Sequence, residues 1–501
     1  MDSSTANRRF SWLYAAWLFG LFAYFMPGPT WNPVSRFDLT TSIVERGTLT
    51  IDAVEDDTGD KSFAGDHWYS DKAPLPALAA VPVYAVLREV DRALGVEPDY
   101  RAVGPATQPA LRVEVNGTFR RDLYACSLAT SAVAGTAIGV LLFELLRRWT
   151  RADVALFGSL AATLGTPVFP YATSFYGHVP AGACLLGGLV AVVPQVGSSW
   201  PSATRMRWGG AALAAAVGCE YITVIPAAIV AVWTIAAGGR DRVKATCRDL
   251  AIGAALPLTV LAAVHTACYG APWRTGYSHI ARPEFAAGHA RGLLGVQWPR
   301  LGVLVDLVVG SRRGLVYVAP ITAMLAAWWA TSLKHAAWPS RAAAWAAASL
   351  LLVNAGYYMW WGGAAAGPRH LVPVVALVGL GAPAVWDQTA PRRVGVVLAL
   401  LSALNMLAIA AVGVEAPERA NVLYWVWGKL LTGQLAAIRG SSNLGIEIGL
   451  PRGGSLGPLL AWAAVGLRLV WRRAAALPSV AAVGGGAVVD SAVVSAVGSG
   501  P

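Results

Sequence analysis

Residues 394–413 read VGVVLALLSALNMLAIAAVG, a run without one charged side chain that follows directly on Arg392 and Arg393. About 20 apolar residues, each rising about 1.5 Å in a helix, span the hydrocarbon core of a bilayer. In that core every backbone N–H and C=O must find its partner within the segment, which a helix provides. The stretch therefore predicts a transmembrane helix. Working outward, comparable runs recur at 11–27, 123–145, 153–171, 178–196, 208–219, 222–237, 250–268, 315–332, 342–361, 371–386 and 456–470. They predict about twelve crossings, or ten if the short pair around Glu220 is not two spans.

Composition agrees. The chain of 501 residues is 56% hydrophobic and 13% charged, with a mean hydropathy of +0.52, against about 25% charged in ordinary globular proteins. A soluble multi-domain chain, a disordered or fibrous one, and a nucleic-acid binder are excluded. The net charge of +11 is read through the membrane, because Lys and Arg collect on cytoplasmic loops. With the N-terminus inside, the short inner loops carry Arg147, Arg148 and Arg151; Arg205 and Arg207; Arg240, Arg242, Lys244 and Arg248; Lys334 and Arg341; Arg392 and Arg393; and Arg472 and Arg473. Both termini are then cytoplasmic. Residues 11–27 lack a following small-residue cleavage site and read as a retained first span. The five cysteines, odd in number and without CxxC spacing, argue against a disulfide framework.

The outer side receives the long loops, 28–122, 269–314 and 414–455. Residues 74–88 are apolar but short and interrupted by Pro74, Pro76 and Pro82, which places them flat on the outer surface. Residues 286–309 and 421–438 read as further amphipathic, membrane-lying helices. The transmembrane domain is thus expected over 1–473, with 474–501 a disordered cytoplasmic tail.

Loop 28–122 holds more than half of the 28 acids. Single acids stand there among aromatic and apolar residues, as in Arg36-Phe37-Asp38-Leu39 and His67-Trp68-Tyr69-Ser70-Asp71-Lys72-Ala73-Pro74. Together with Leu164-Gly165-Thr166-Pro167, Tyr176-Gly177-His178, Arg313-Gly314-Leu315, Trp360-Trp361-Gly362-Gly363 and Gly367-Pro368-Arg369-His370, this order resembles the membrane glycosyltransferases of the GT-C class. The resemblance is to the protein O-mannosyltransferase and aminoarabinose-transferase branch and its bacterial relatives.

The resemblance implies an all-α, polytopic, GT-C-like fold in a bacterial inner (plasma) membrane. It implies an inverting transfer of a sugar from a polyprenyl-phosphate donor to a lipid, glycan or protein acceptor on the extracytoplasmic face. In that class a first-loop acid is the base and basic residues hold the lipid phosphate. The acidic pair that precedes the Arg-aromatic dipeptide in better-known members is missing before Arg36-Phe37, and Ala73 replaces the first proline of their Lys-Pro-Pro pattern. The base is therefore not carried over by motif; Asp38, the first acid after the first span, is the leading candidate, Asp52 and Asp71 follow, and each is also able to cap a surface helix. Lys72 is the leading phosphate ligand. Tyr69, His178, Glu220, Arg313, Arg369 and His370 are the further candidates for substrate contact. Glu220, between two apolar runs, is a charge that must face protein or water.

No GxGxxG after a strand, Walker-type loop or HExxH occurs, so nucleotide-driven chemistry has no visible site. The histidines form no local metal-ligand cluster. No cofactor is expected, and no residue pattern indicates a divalent cation. Asn116-Gly117-Thr118 reads as an Asn-Gly turn. A transporter or lipid flippase, or a GT-C-like scaffold without activity, are the alternatives. The absence of an internal repeat weighs against the first.

Overall fold

The computed structural model describes residues 3–97, 117–195, 198, 200–436 and 441–477. Asn116 of the expected turn and residues 478–501 of the expected tail lie outside the described residues, while residues 474 and 475 close the last helix. Among the described residues five helices are long and apolar enough to cross a membrane: Gly117–Leu146, Val243–Tyr269, Arg369–Trp386, Thr389–Val412 and Arg452–Ala475. Four shorter apolar helices are Ala152–Leu164, His178–Val192, Tyr221–Ala237 and Val422–Leu431.

Several expected spans are broken, two of them at a proline. The 153–171 run stops at Leu164, because Pro167 lacks an N–H and pushes its predecessor out of the helical region. The 315–332 run divides into Leu315–Val318 and Ile321–Ser332 at Ala319-Pro320. The 208–237 region is two helices, Ala203–Cys219 and Val224–Ala237, with Glu220 extended (φ −151°, ψ 115°) between them. The expected helix at 286–309 is two shorter ones, Pro283–His289 and Leu301–Val309. Between them Gly292 (φ 60°), Leu294 (φ 51°) and Gly295 (φ 86°) are left-handed, a conformation that ends helices. The 421–438 region holds Val422–Leu431, whose first turn is capped by the Asn421 side chain accepting from the Tyr424 N–H.

Small residues let the helices meet closely, as expected where apolar burial alone does not favour protein over lipid. A Cβ on Gly210 would sit 2.1 Å from the Leu250 carbonyl oxygen, and one on Gly253 1.8 Å from that of Arg207. The helices Ala203–Cys219 and Val243–Tyr269 are therefore in backbone contact.

The segment after the first helix (Ser3–Ala23) corresponds to the first expected outer loop. Helix Trp31–Arg46 ends at Gly47 in the left-handed conformation (φ 64°). A hairpin pairs Lys61–Ala64 with His67–Ser70 around Gly65 (φ 55°) and Asp66 (φ 66°), the positive angles that a two-residue turn of this hand needs. Helix Leu75–Leu94 follows, burying Ala77, Ala80 and Tyr84.

Candidate functional site

The hairpin register sets the first part of the site. Lys61 faces Ser70, so Asp60 and Asp71, one residue beyond each strand, come side by side. The Lys72 ammonium lies between them, 2.9 Å from Asp60 Oδ2 and 3.1 Å from Asp71 Oδ1. Ser35 braces this pair by donating to the Asp60 carbonyl and meeting Ser70 Oγ at 2.8 Å. Burial pushes the Asp71 carboxyl up, to about 6, against the opposing pull of Lys72. Burial works against the Lys72 charge, but Asp60 and Asp71 outweigh it and hold its pKa above that of an ordinary lysine.

The second part comes from the helix break at Glu220. Glu220 Oε1 accepts from Arg36 Nη2 at 2.7 Å and lies 3.2 Å from His178 Nδ1. Arg36 also donates to the Asn32 side chain. Gly177 makes the approach feasible: a Cβ there would meet the Cys219 carbonyl oxygen at 2.3 Å and Glu220 Oε1 at 2.6 Å.

The third part is the loop before helix Arg369–Trp386. Arg313 is fully buried and spends its guanidinium on the carbonyls of Trp361 (3.0 Å), Arg312 (2.7 Å) and Gly363 (2.9 Å). It thereby fixes the turn in which Gly362 (φ 73°) and Gly363 (φ 68°) are left-handed. That turn packs on Arg369, whose guanidinium lies 5.7 Å from the Tyr176 ring centroid. Tyr176 donates to Glu415 Oε1 at 2.7 Å, and burial raises the Glu415 pKa. Neither Arg369 Nε nor His370 Nε2 has a hydrogen-bond partner, although both atoms are buried.

These three parts enclose one cavity of about 450 Å³. Asp60, Asp71, Lys72, Asn32, His178, Glu220, Arg369, His370, Glu415 and Glu418 supply its polar wall. Tyr221, Tyr277, His289, Tyr357 and Tyr358 form an aromatic side, with His289 stacked on Tyr277 at 4.7 Å. Burial lowers the His289 pKa to about 4, so this ring is neutral at pH 7. The remaining flank is apolar: Ile222, Val224 and Ile225 from one side, Leu293, Leu294 and Val353 from the other. Val224 (50%), Ile225 (41%) and Leu293 (79%) are also exposed on the outside of the protein, so the apolar flank continues onto the surface.

Of the residues singled out by sequence, Asp71, Lys72, His178, Glu220, Arg369 and His370 meet in this cavity. Four do not line it. Asp38 is buried in helix Trp31–Arg46, with Oδ2 unpartnered and its pKa raised by burial and then by Asp57. Asp52 lies near the surface and accepts from the Trp68 N–H and the His67 ring, both at 2.7 Å. Tyr69 packs against Tyr269, 5.6 Å between rings, and Arg313 stands behind the wall. Sequence reasoning missed Asp60, Tyr221, Tyr277, His289, Tyr357, Tyr358 and Glu415. A signal existed for Asp60: Gly65-Asp66 between short β-prone runs is a hairpin pattern, and pairing across it brings 60 to 71.

No protein-family model matches the chain, and no curated protein matches it. Among solved structures, the crystal structure of ArnT from Cupriavidus metallidurans bound to undecaprenyl phosphate aligns with a TM-score of 0.50 at 16% identity, over 93% of this chain and 75% of that one. The apo state of the same protein gives 0.47 and 18%, over 92% and 75%. The chain is an all-α, multi-pass membrane protein similar in fold to the GT-C fold of undecaprenyl-phosphate-bound ArnT.

Proposed function

We propose that the protein is an integral-membrane glycosyltransferase that moves a sugar from a polyprenyl-phosphate donor to an acceptor at the extracytoplasmic face. The observation that carries this reading is a single cavity whose charged wall adjoins an apolar flank open to the surface. A lipid-linked phosphate needs both: cations for the phosphate and an apolar path for the chain. The GT-C-like fold supports the reading, as does the undecaprenyl phosphate bound by the similar ArnT.

Arg369, with free donor capacity, and Lys72 hold the phosphate in this proposal. As the sugar's anomeric carbon leaves the phosphate oxygen, negative charge grows there, and the two cations stabilise it. Phosphate binding draws Lys72 from Asp71, leaving that carboxylate to take the proton from the incoming acceptor hydroxyl. Burial holds the Asp71 pKa above that of an ordinary carboxyl, which suits a base. Attack from the side opposite the phosphate inverts the anomeric carbon. Asp71 is the base assigned here, because Asp38 and Asp52 stand off the cavity. His178, Glu220 and His370 contact substrate from the facing wall. The twelve crossings, the cytoplasmic termini and the bacterial inner membrane belong to the same proposal.

The test is sugar transfer from labelled polyprenyl-phosphate sugars by the purified protein in lipid nanodiscs. Transfer by the wild type that is abolished in Asp71→Asn supports the proposal. Transport of a solute across vesicles without transfer to any acceptor would replace it with a transporter.

A further inference from the structure

Tyr221 opens the short turn after Glu220 and lines the cavity. Its hydroxyl lies 2.9 Å from His265 Nε2. His265 belongs to helix Val243–Tyr269, is not among the cavity-lining residues, and is 4% exposed. The helix ends at Gly270 in the left-handed conformation (φ 77°), and the chain turns back so that the Pro272 carbonyl oxygen comes 3.1 Å from His265 Nδ1.

This chain of contacts fixes every hydrogen in it. A carbonyl oxygen only accepts, so His265 Nδ1 must carry the hydrogen. No carboxylate touches the ring among the described residues, and a neutral imidazole protonated at Nδ1 has a bare Nε2 that accepts. Tyr221 must therefore donate its one hydrogen to His265. The tyrosine oxygen then offers only lone pairs to the cavity. Sugar hydroxyls can donate to such an oxygen, whereas an ionised phosphate diester has no hydrogen to give. The Tyr277 ring, edge-on at 5.6 Å, limits where the Tyr221 ring can move.

We infer that Tyr221 contacts the transferred sugar as a hydrogen-bond acceptor and that His265 is the positioning residue that fixes it in that role. This inference rests on the transferase reading for the sugar, but not for the hydrogen positions.

Two measurements test it. In ¹⁵N-histidine-labelled protein in nanodiscs, with the His265 signal assigned by its loss in His265→Gln, the expected form is protonated at Nδ1 and bare at Nε2. The other tautomer or an imidazolium overturns the inference. Equilibrium binding of polyprenyl-phosphate mannose and polyprenyl-phosphate arabinose is then compared with that of sugar-free polyprenyl phosphate, at about pH 8 where this monoester is doubly ionised and also has no hydrogen to give. Tyr221→Phe and His265→Phe weaken the sugar lipids about fivefold to tenfold, the size of one hydrogen bond, and leave sugar-free lipid unchanged. His265→Gln, whose amide oxygen can still accept, retains wild-type affinity. Equal loss for all three lipids shows a merely structural role and overturns the inference, as does no loss at all. If the wild type binds none of the lipids, the transferase reading and the sugar contact fall together, while the tautomer measurement still decides the role of His265.

Discussion

The two ends of the helical bundle use the same side chains differently. At the end expected to be cytoplasmic, Arg148 and Arg205 both donate to the carbonyls of Val190 and Val193, Arg205 at 2.8 Å to each. These are last-turn carbonyls of helix His178–Val192 and the residue after it, which would otherwise lack partners. At the cavity end, Arg369 Nε has no partner and Lys72 is held by two carboxylates on the cavity wall. The lesson is that residue type does not separate a helix fastener from a ligand. A place on the cavity wall does, for the two residues proposed here as ligands. Arg313 makes the same point at the cavity end: the sequence offers it for substrate contact, and three carbonyls take up its guanidinium.

The strongest way to break this comparison is to remove the cation between the acids. Lys72→Met should lower transfer by about 100- to 1000-fold, the scale of losing a group that stabilises transition-state charge. A variant that keeps a tenth of wild-type turnover would end the role given to Lys72. Arg369→Gln should cost about 100-fold in kcat/KM, whereas Arg205→Gln at the other end should leave kcat/KM unchanged; equal effects at both ends would erase the distinction drawn here. The pH profile is the next test. Asp71 accepts a proton only when ionised, so with its pKa near 6 in the ligand-free protein kcat/KM for transfer rises with pH up to about 6 and levels off above it. Below that it falls about tenfold per pH unit. A flat profile between pH 5 and 8 would remove Asp71 from the role of base. Gly177→Ala forces a Cβ against the Cys219 carbonyl and Glu220, and should cost about 1–3 kcal/mol of stability, read as a lower Tm. Gly302→Ala, where a Cβ meets nothing within 4 Å, is its control. The smallest effect is the stability cost of Arg205→Gln, about 1 kcal/mol or less, since Arg148 reaches the same carbonyls.

Much of the architecture was legible because it depends on short-range chemistry. Runs such as 394–413 can satisfy their backbone hydrogen bonds within the segment, and the observed helix is Thr389–Val412. The breaks were written less plainly. Pro167 and Pro320 each divide a run whose average hydropathy looks continuous. Convergence of Asp71, Lys72, His178, Glu220, Arg369 and His370 was legible in outline, since the last four lie near expected outer ends of spans and Asp71 and Lys72 lie in the first expected outer loop. Distances within the long first loop were not, because they depend on the pairing register. Asp60 is eleven positions before Asp71 in sequence, yet Lys72 bridges the two. Tyr357, Tyr358 and His289 were out of reach for a similar reason: they meet only because the chain on either side of Gly295 folds against Gly356.

That fold carries a consequence for traffic at the cavity mouth. Gln297 donates to the Gly356 carbonyl, Tyr358 to that of Gly295 and Arg300 to that of Ala355. The Tyr358 ring is clasped between Gly288 and Gly295, where an added Cβ would come within 2.1 and 2.6 Å of it. Leu293 and Leu294 are therefore carried on a lintel riveted to the wall behind it. In the proposed transferase such a lintel would hold the lipid's doorway at one width, so that it would select by the girth of what passes. Bulkier residues at Leu293 would narrow it for every lipid alike, as a tighter sieve does.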